Sequence, residues 1–211
     1  MASLADAKVF KRGYDHIRNS DPVLGRVLER HGIIKFEVEG EPFESLVESI
    51  LSQQLASPAA TSIIRKVRDI YPNRSLTPDA LFRTPSPKLR KAGVSPQKLS
   101  YLKDLSKRVA MGKIDLDALK YREDEEIIAT LDEVKGIGPW TVQMLLIFTL
   151  GRPNVFPVDD LGVKKGVQQV YSLPEIPRRA EMDKLAERWH PYRTVASLYL
   201  WRHKDADQRK M

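Results

Sequence analysis

Ser57-Pro58, Thr77-Pro78, Ser86-Pro87 and Ser95-Pro96 repeat one signature within a short span of chain. A hydroxyl residue followed by proline is a helix start. The side-chain oxygen can accept from an unpaired amide of the first turn, and proline at the first helical position forfeits no hydrogen bond. Gly93 and Gly112 stand where the matching C-terminal stops are expected. Helical spacing of apolar residues extends the reading over 4–18, 22–31, 43–52, 58–70, 78–82, 87–92, 96–111, 123–133, 140–150, 161–171, 177–189 and 192–202. Ser20-Asp21-Pro22 breaks the first two segments and Gly32 closes the second. The segment 140–150 is apolar nearly all round, which predicts a helix buried in the core. Ile34, Phe36 and Val38 alternate with charged residues, but no partner strand is evident, so an extended arm is expected. The fold class is an all-α array of roughly ten short helices, and the polar tail from His203 is expected to fray.

Composition narrows the class. The 211 residues are 42% hydrophobic and 30% charged, a soluble globular balance. There is no apolar run long enough to span a bilayer and no signal-like N-terminus, so no membrane partner is expected. With no cysteine, disulfides, thiolate metal sites and a Cys-ligated iron–sulfur cluster are excluded. The net charge of +7 is unevenly spread: residues 61–113 carry 13 Lys or Arg against 3 acids, and residues 115–133 carry 8 acids against 2 bases. Such segregation suits one positive face, as a phosphate backbone requires, although solvated helix faces give the same count.

The chemistry-bearing stretch is Leu131 to Thr141, where an apolar helix end runs into Gly136-Ile137-Gly138 and Pro139 opens another helix. Two glycines allow a tight turn and leave amides uncovered at a helix N-terminus, a place for an anion such as a DNA phosphate. Phe156-Pro157-Val158-Asp159-Asp160 follows. Read alone, either carboxylate could simply cap the helix beginning at Leu161.

Leu131 to Asp160 resembles the helix–hairpin–helix element, with its loop and aspartate, of the helix–hairpin–helix DNA glycosylase superfamily. Three further stretches resemble its 3-methyladenine (alkylbase) branch: Ile50 to Ser57, Gly93 to Leu102, and Trp189 to Ala196. The bacterial long form of that branch carries an additional N-terminal mixed α/β region, which this chain is expected to lack. The resemblance implies two helical subdomains with an active-site cleft between them. One, about 35–135, carries the wedge loop; the other joins 1–34 to 161–202; the hairpin and aspartate loop occupy about 131–160, and 203–211 is a tail.

The resemblance makes Asp160 the catalytic carboxylate, beside a sugar that becomes cationic as the glycosidic bond breaks, with Asp159 in a supporting or structural role. Trp140 matches the position where strand-cutting branches carry a Schiff-base lysine, so base release without lyase activity is implied. Trp140, Tyr192 and Met144 are the implied walls of an aromatic pocket for cationic alkylated purines, Met144 standing where the long form has tyrosine. Leu55 matches the intercalating wedge, with Gln53 or Gln54 facing the orphaned base. Gly136, Gly138, Thr141 and Lys164 are implied phosphate contacts. Main-chain carbonyls of Asp132, Val134 and Ile137 are implied to hold a monovalent cation, with no other cofactor required. The implied partner is duplex DNA containing alkylated bases, met by a monomer inside the cell, in cytoplasm or nucleus according to the organism. Three other readings stand beside it: excision of deaminated or mismatched bases, a non-catalytic DNA-binding hairpin module, and a basic helical scaffold for RNA or protein.

Overall fold

The computed structural model describes residues 3–208. Among these the chain forms thirteen α-helices, one short 3-10 turn at Pro72–Arg74, and no strand. In order they are α1 (Ala7–Ser20), α2 (Pro22–His31), α3 (Pro42–Ser52), α4 (Ser57–Arg68), α5 (Pro78–Arg83), α6 (Ser86–Lys91) and α7 (Pro96–Ala110). Then come α8 (Leu116–Leu119), α9 (Asp124–Asp132), α10 (Pro139–Phe148), α11 (Leu161–Val170), α12 (Arg179–Glu187) and α13 (Arg193–Gln208). No helix among the described residues is long and apolar enough to cross a membrane.

The chain divides into two compact units, one of residues up to Glu39 and from Leu146 on, the other Gly40–Leu145. The hairpin therefore belongs to the second unit and the Asp160 loop to the first.

Two of the four hydroxyl–proline starts work as expected. Thr77 Oγ1 accepts from Ala80 N and Ser95 Oγ from Lys98 N, each at 3.3 Å. The other two differ. Ser57 and Ser86 lie inside their helices, behind the extended residues Ala56 and Pro85, and neither helix has a side-chain cap. Proline at the second helical position is still compatible with these starts, because that amide too lacks an intrahelical acceptor. The expected fraying from His203 is corrected. Helix α13 continues to Gln208, since no Pro or Gly interrupts it; residues 209–211 lie outside the described chain. The first helix begins at Ala7, not residue 4, because Asp6 caps it by accepting from Lys8 N.

In the unit that begins the chain, α13 packs against α1, α2 and α11. The break at Asp21 becomes its polar centre. Asp21 is 0% exposed and N-caps α2 by accepting from Val23 and Leu24 N, both at 3.1 Å. Its other oxygen accepts from the Trp189 indole at 3.0 Å and from the Tyr171 hydroxyl. A buried carboxylate is tolerable only when its lone pairs are filled, and four donors fill them here. Burial and this carboxylate push the Tyr171 phenol far above its ordinary range. The arm after α2 is extended and pairs with no strand. Ile34 N donates to the Tyr199 hydroxyl, Glu39 N to Phe148 O, and the Phe36 ring sits 6.1 Å from Phe10 and 6.3 Å from Phe148.

In the other unit α7 packs against α3, α5 and α6, while α3 also meets α4 and α8. The Lys103 ammonium closes the C-terminal end of α5, donating to the carbonyls of Leu81, Phe82 and Thr84 at 3.0, 2.7 and 2.5 Å. Three carbonyls at the negative end of a helix are a favourable place for a cation. Helix α10 departs from its expected full burial. Val142, Leu145, Leu146 and Ile147 are buried, but Trp140 and Phe148 near its two ends are 45% and 40% exposed.

Candidate active site

The loop leading to Asp160 is held by one buried hydroxyl. Thr194 Oγ1 donates to Arg152 O at 2.7 Å and accepts from Val155 N at 2.9 Å, while Thr194 N donates to Pro153 O. Two tight turns follow, Val158 N to Phe156 O and Asp160 N to Pro157 O. They deliver Asp160 to the N-terminus of α11 in extended backbone geometry.

There Asp160 Oδ1 accepts from Val163 N at 2.8 Å, so the carboxylate is a helix cap. The same oxygen accepts from the indole N–H of Trp201 at 2.8 Å. Two donors at one atom fix the carboxylate's orientation, and a helix N-terminus is a favourable electrostatic position for it. Gly162 makes room. A Cβ there would lie 2.9 Å from Trp201 Cδ1 and 3.0 Å from Asp160 Oδ1. The Trp201 ring stacks on Phe148 at 5.8 Å and 29°. Trp201 and Thr194 are the site residues that the sequence reading missed; both lie far along the chain from Asp160, beyond the reach of any local spacing.

Asp159 is exposed and paired, at 3.3 Å with Lys164 Nζ and at 2.8 Å with Arg179 Nη1. Lys164, read as a phosphate contact, thus already touches a carboxylate. The Tyr192 ring lies against Gly13 and, at 5.6 Å, against His16 of α1.

The remaining candidates belong to the hairpin unit. Helix α9 ends at Asp132, and Val134 N to Leu131 O then Ile137 N to Val134 O close the turn. Gly136 takes φ +79° and lies under the Tyr101 ring, so closely that a Cβ would fall within it. Gly138 has open space where a Cβ would be. The hairpin glycines thus play different parts: the first admits Tyr101, the second leaves the backbone open to an approaching group. Trp140 is exposed and Met144 half-buried. Thr141 is buried, at 5% exposed. Leu55 is 40% exposed in the turn between α3 and α4, not folded into the core, and Gln54 beside it is exposed as well. Gln53 is half-buried and donates from Nε2 to Gly136 O at 2.7 Å.

The family described as HhH-GPD superfamily base excision DNA repair protein matches residues 47–191, which contain the hairpin, the Leu55 turn and Asp160. The chain belongs to this superfamily. It is 38% identical over 164 residues to DNA-3-methyladenine glycosylase 1 of Schizosaccharomyces pombe, covering 77% of this chain and 72% of that protein. Among solved structures, an S. pombe 3-methyladenine DNA glycosylase in complex with abasic DNA superposes with a TM-score of 0.81 at 33% identity, over 90% of this chain and 95% of that one. A DNA-3-methyladenine glycosidase from Bacillus halodurans gives 0.86 at 33% identity, over 94% and 91%. The all-helical fold is therefore the superfamily's fold.

The two glycines give a paired expectation. Gly136→Ala forces a side chain to positive φ and into Tyr101, costing about 2 kcal/mol or more, and should lower both melting temperature and affinity for abasic-site duplex. Gly138→Ala meets no neighbour, so it should melt normally and lose affinity alone. Thermal unfolding beside a DNA titration checks both; normal affinity in Gly138→Ala would remove the phosphate role from that glycine.

Proposed function

We propose that this chain is a monofunctional DNA glycosylase that hydrolyses the N-glycosidic bond of alkylated purines in duplex DNA and leaves an abasic site. The observation that carries the reading is Asp160, a carboxylate oriented by two donors on Oδ1 in a member of a base excision repair superfamily whose relatives are named 3-methyladenine glycosylases.

The C1′–N bond breaks with its electron pair leaving on the base, and positive charge develops on the deoxyribose. Asp160 stabilises that charge and orients the water whose oxygen bonds to C1′, the proton that water loses passing to the carboxylate or to solvent. Alkylation at N3 or N7 makes the base cationic, hence a ready leaving group and a partner for an electron-rich ring. Trp140 and Met144 are proposed contacts for the flipped base, Tyr192 is proposed as a further aromatic contact, and exposed Leu55 is the proposed wedge that fills the vacated stack. Backbone amides of Gly136 and Gly138 hold phosphate. Lys164 is a separate proposed phosphate contact, formed by exchanging its ion pair with Asp159. Monomeric action suits this assignment.

A monovalent cation fits the turn's donor set. The carbonyls of Asp132, Val134 and Ile137 are neutral oxygens, and Val134 O, which accepts from Ile137 N at 3.0 Å, keeps a second lone pair. Such an ion would supply positive charge for binding an anion. No other cofactor is required.

The test is base release from a panel of duplexes, each holding one lesion: 3-methyladenine, 7-methylguanine, hypoxanthine, ethenoadenine, or a uracil mismatch. Release from the two cationic bases is expected, with no borohydride-trapped adduct, because an indole at position 140 cannot form a Schiff base. Binding without release from any duplex would reduce the chain to a DNA-binding module. A trapped adduct would overturn the monofunctional assignment.

A further inference from the structure

The turn that carries Leu55 is strained and yet has one defined geometry. Helix α3 ends at Ser52; Gln53 follows at φ −50°, ψ 131°, Gln54 takes φ +56°, and Leu55 N donates to Ser52 O at 3.2 Å. Those angles belong to a type II turn, whose third position ordinarily takes glycine. A glutamine held at positive φ persists only where its surroundings over-determine it.

Two long-range bonds do so. The Lys98 ammonium donates to Leu51 O at 2.6 Å and ties the last turn of α3 to α7. The Gln53 amide donates to Gly136 O at 2.7 Å and ties the turn itself to the hairpin. Gly136 is in turn pinned under Tyr101, whose hydroxyl accepts from Gln97 Nε2 at 2.6 Å. The loop that would enter the base stack is thereby joined to the loop that would grip phosphate.

We infer that Gln53 is a positioning residue for base flipping, its side-chain amide holding the Leu55 turn in register with the phosphate-binding hairpin. The inference rests on the wedge reading of Leu55. It also divides the two glutamines: Gln54 faces outward, and Gln53 is committed inward to the protein. A wedge entering a duplex is pushed back by the stacking it disrupts. A turn free to relax from its strained φ would retreat. Through Gln53, that push is carried into the hairpin that DNA itself holds in place.

The test compares the wild type, Gln53→Met, Leu55→Ala and the double variant. Gln53→Met keeps the length and loses the donor. Two readouts are single-turnover base release and the fluorescence of a 2-aminopurine stacked beside an abasic site, which needs no base release. Gln53→Met should lower the rate and the unstacking signal about tenfold, the loss of one well-placed hydrogen bond. Abasic-DNA affinity should stay within about threefold. In the Leu55→Ala background the same change should do nothing further, because Gln53 acts through Leu55. Gln53→Glu should approach the wild type as pH falls, since a protonated acid can again donate to Gly136 O.

An additive second loss in the double variant overturns the inference, as does a wild-type signal from Gln53→Met when Leu55→Ala is impaired. Equal loss of affinity and rate with a large fall in melting temperature overturns it too, leaving a fold-stabilising bond. Wild-type behaviour of Leu55→Ala would instead remove the wedge reading on which it rests.

Discussion

Asp160→Asn is expected to lower single-turnover base release by about a hundredfold to a thousandfold or more, while leaving the fold and DNA binding in place. A group aimed at developing charge contributes about 3–4 kcal/mol to the barrier, and the substitution removes that charge with little else. Asn keeps a carbonyl oxygen for Oδ1, so Val163 N and the Trp201 indole both retain their acceptor. As an N-cap, Asn is about as good as Asp. Melting temperature should therefore barely change, and affinity for lesion DNA should hold or rise, with one fewer repulsion against phosphate. Asp160→Ala is the contrast. It loses the cap, worth about 1 kcal/mol, and leaves the indole N–H without this acceptor, so it should lose stability as well as activity. Near-normal release by Asp160→Asn would leave Asp160 a cap and nothing more.

Trp189→Ala is expected to be the most destabilising single change in the unit that carries Asp160. Trp189 is 0% exposed, donates to Asp21 at 3.0 Å and meets Phe156 edge-on at 5.4 Å and 73°. Truncating a buried tryptophan costs about 3–5 kcal/mol through the cavity alone, and removing one donor from a buried carboxylate adds to it. For a chain of this size the melting temperature should fall by roughly 10 °C or more. Trp189→Phe retains most of the apolar volume and loses only the N–H, so about 1–2 kcal/mol is expected. Phe156 begins the run that ends at Asp160, so base release by Trp189→Ala should decline even below its melting transition. Thermal unfolding followed by circular dichroism checks the pair. A shift of about 2 °C or less for Trp189→Ala would refute the central placement of this contact.

Much of the architecture was legible because helix boundaries are local events. Thr77, Ser95 and Asp21 each act on amides two or three residues away, and Gly93 and Gly112 take the positive φ that their positions as stops require. The same locality explains the misreadings. A hydroxyl before proline does not show whether the helix begins before it or at it, and Ser57 and Ser86 turn out to be first helical residues rather than caps. Polarity after His203 suggests an end, but Lys204, Ala206 and Gln208 are good helix formers and neither Pro nor Gly intervenes before Gln208. The tetrapeptide α8 is too short to leave a periodic signature.

The candidate site divides along the same line. The Gly136-Ile137-Gly138 turn and a carboxylate at the start of the helix after Asp160 are legible in short runs, whereas the exposure of Trp140 and Leu55 is decided by packing. Tertiary packing alone decided that Trp201 donates to Asp160, that Thr194 holds its loop, that Tyr101 covers Gly136, and that Gln53 and not Gln54 turns inward. It likewise made the helix break at Asp21 a buried centre for Tyr171 and Trp189. Each of these pairs residues distant in sequence. The physical reason is that sequence determines where backbone donors and acceptors go unpaired at helix ends, within a turn or so. Which distant side chain arrives to satisfy them depends on how apolar helix faces pack, and no short-range pattern encodes that.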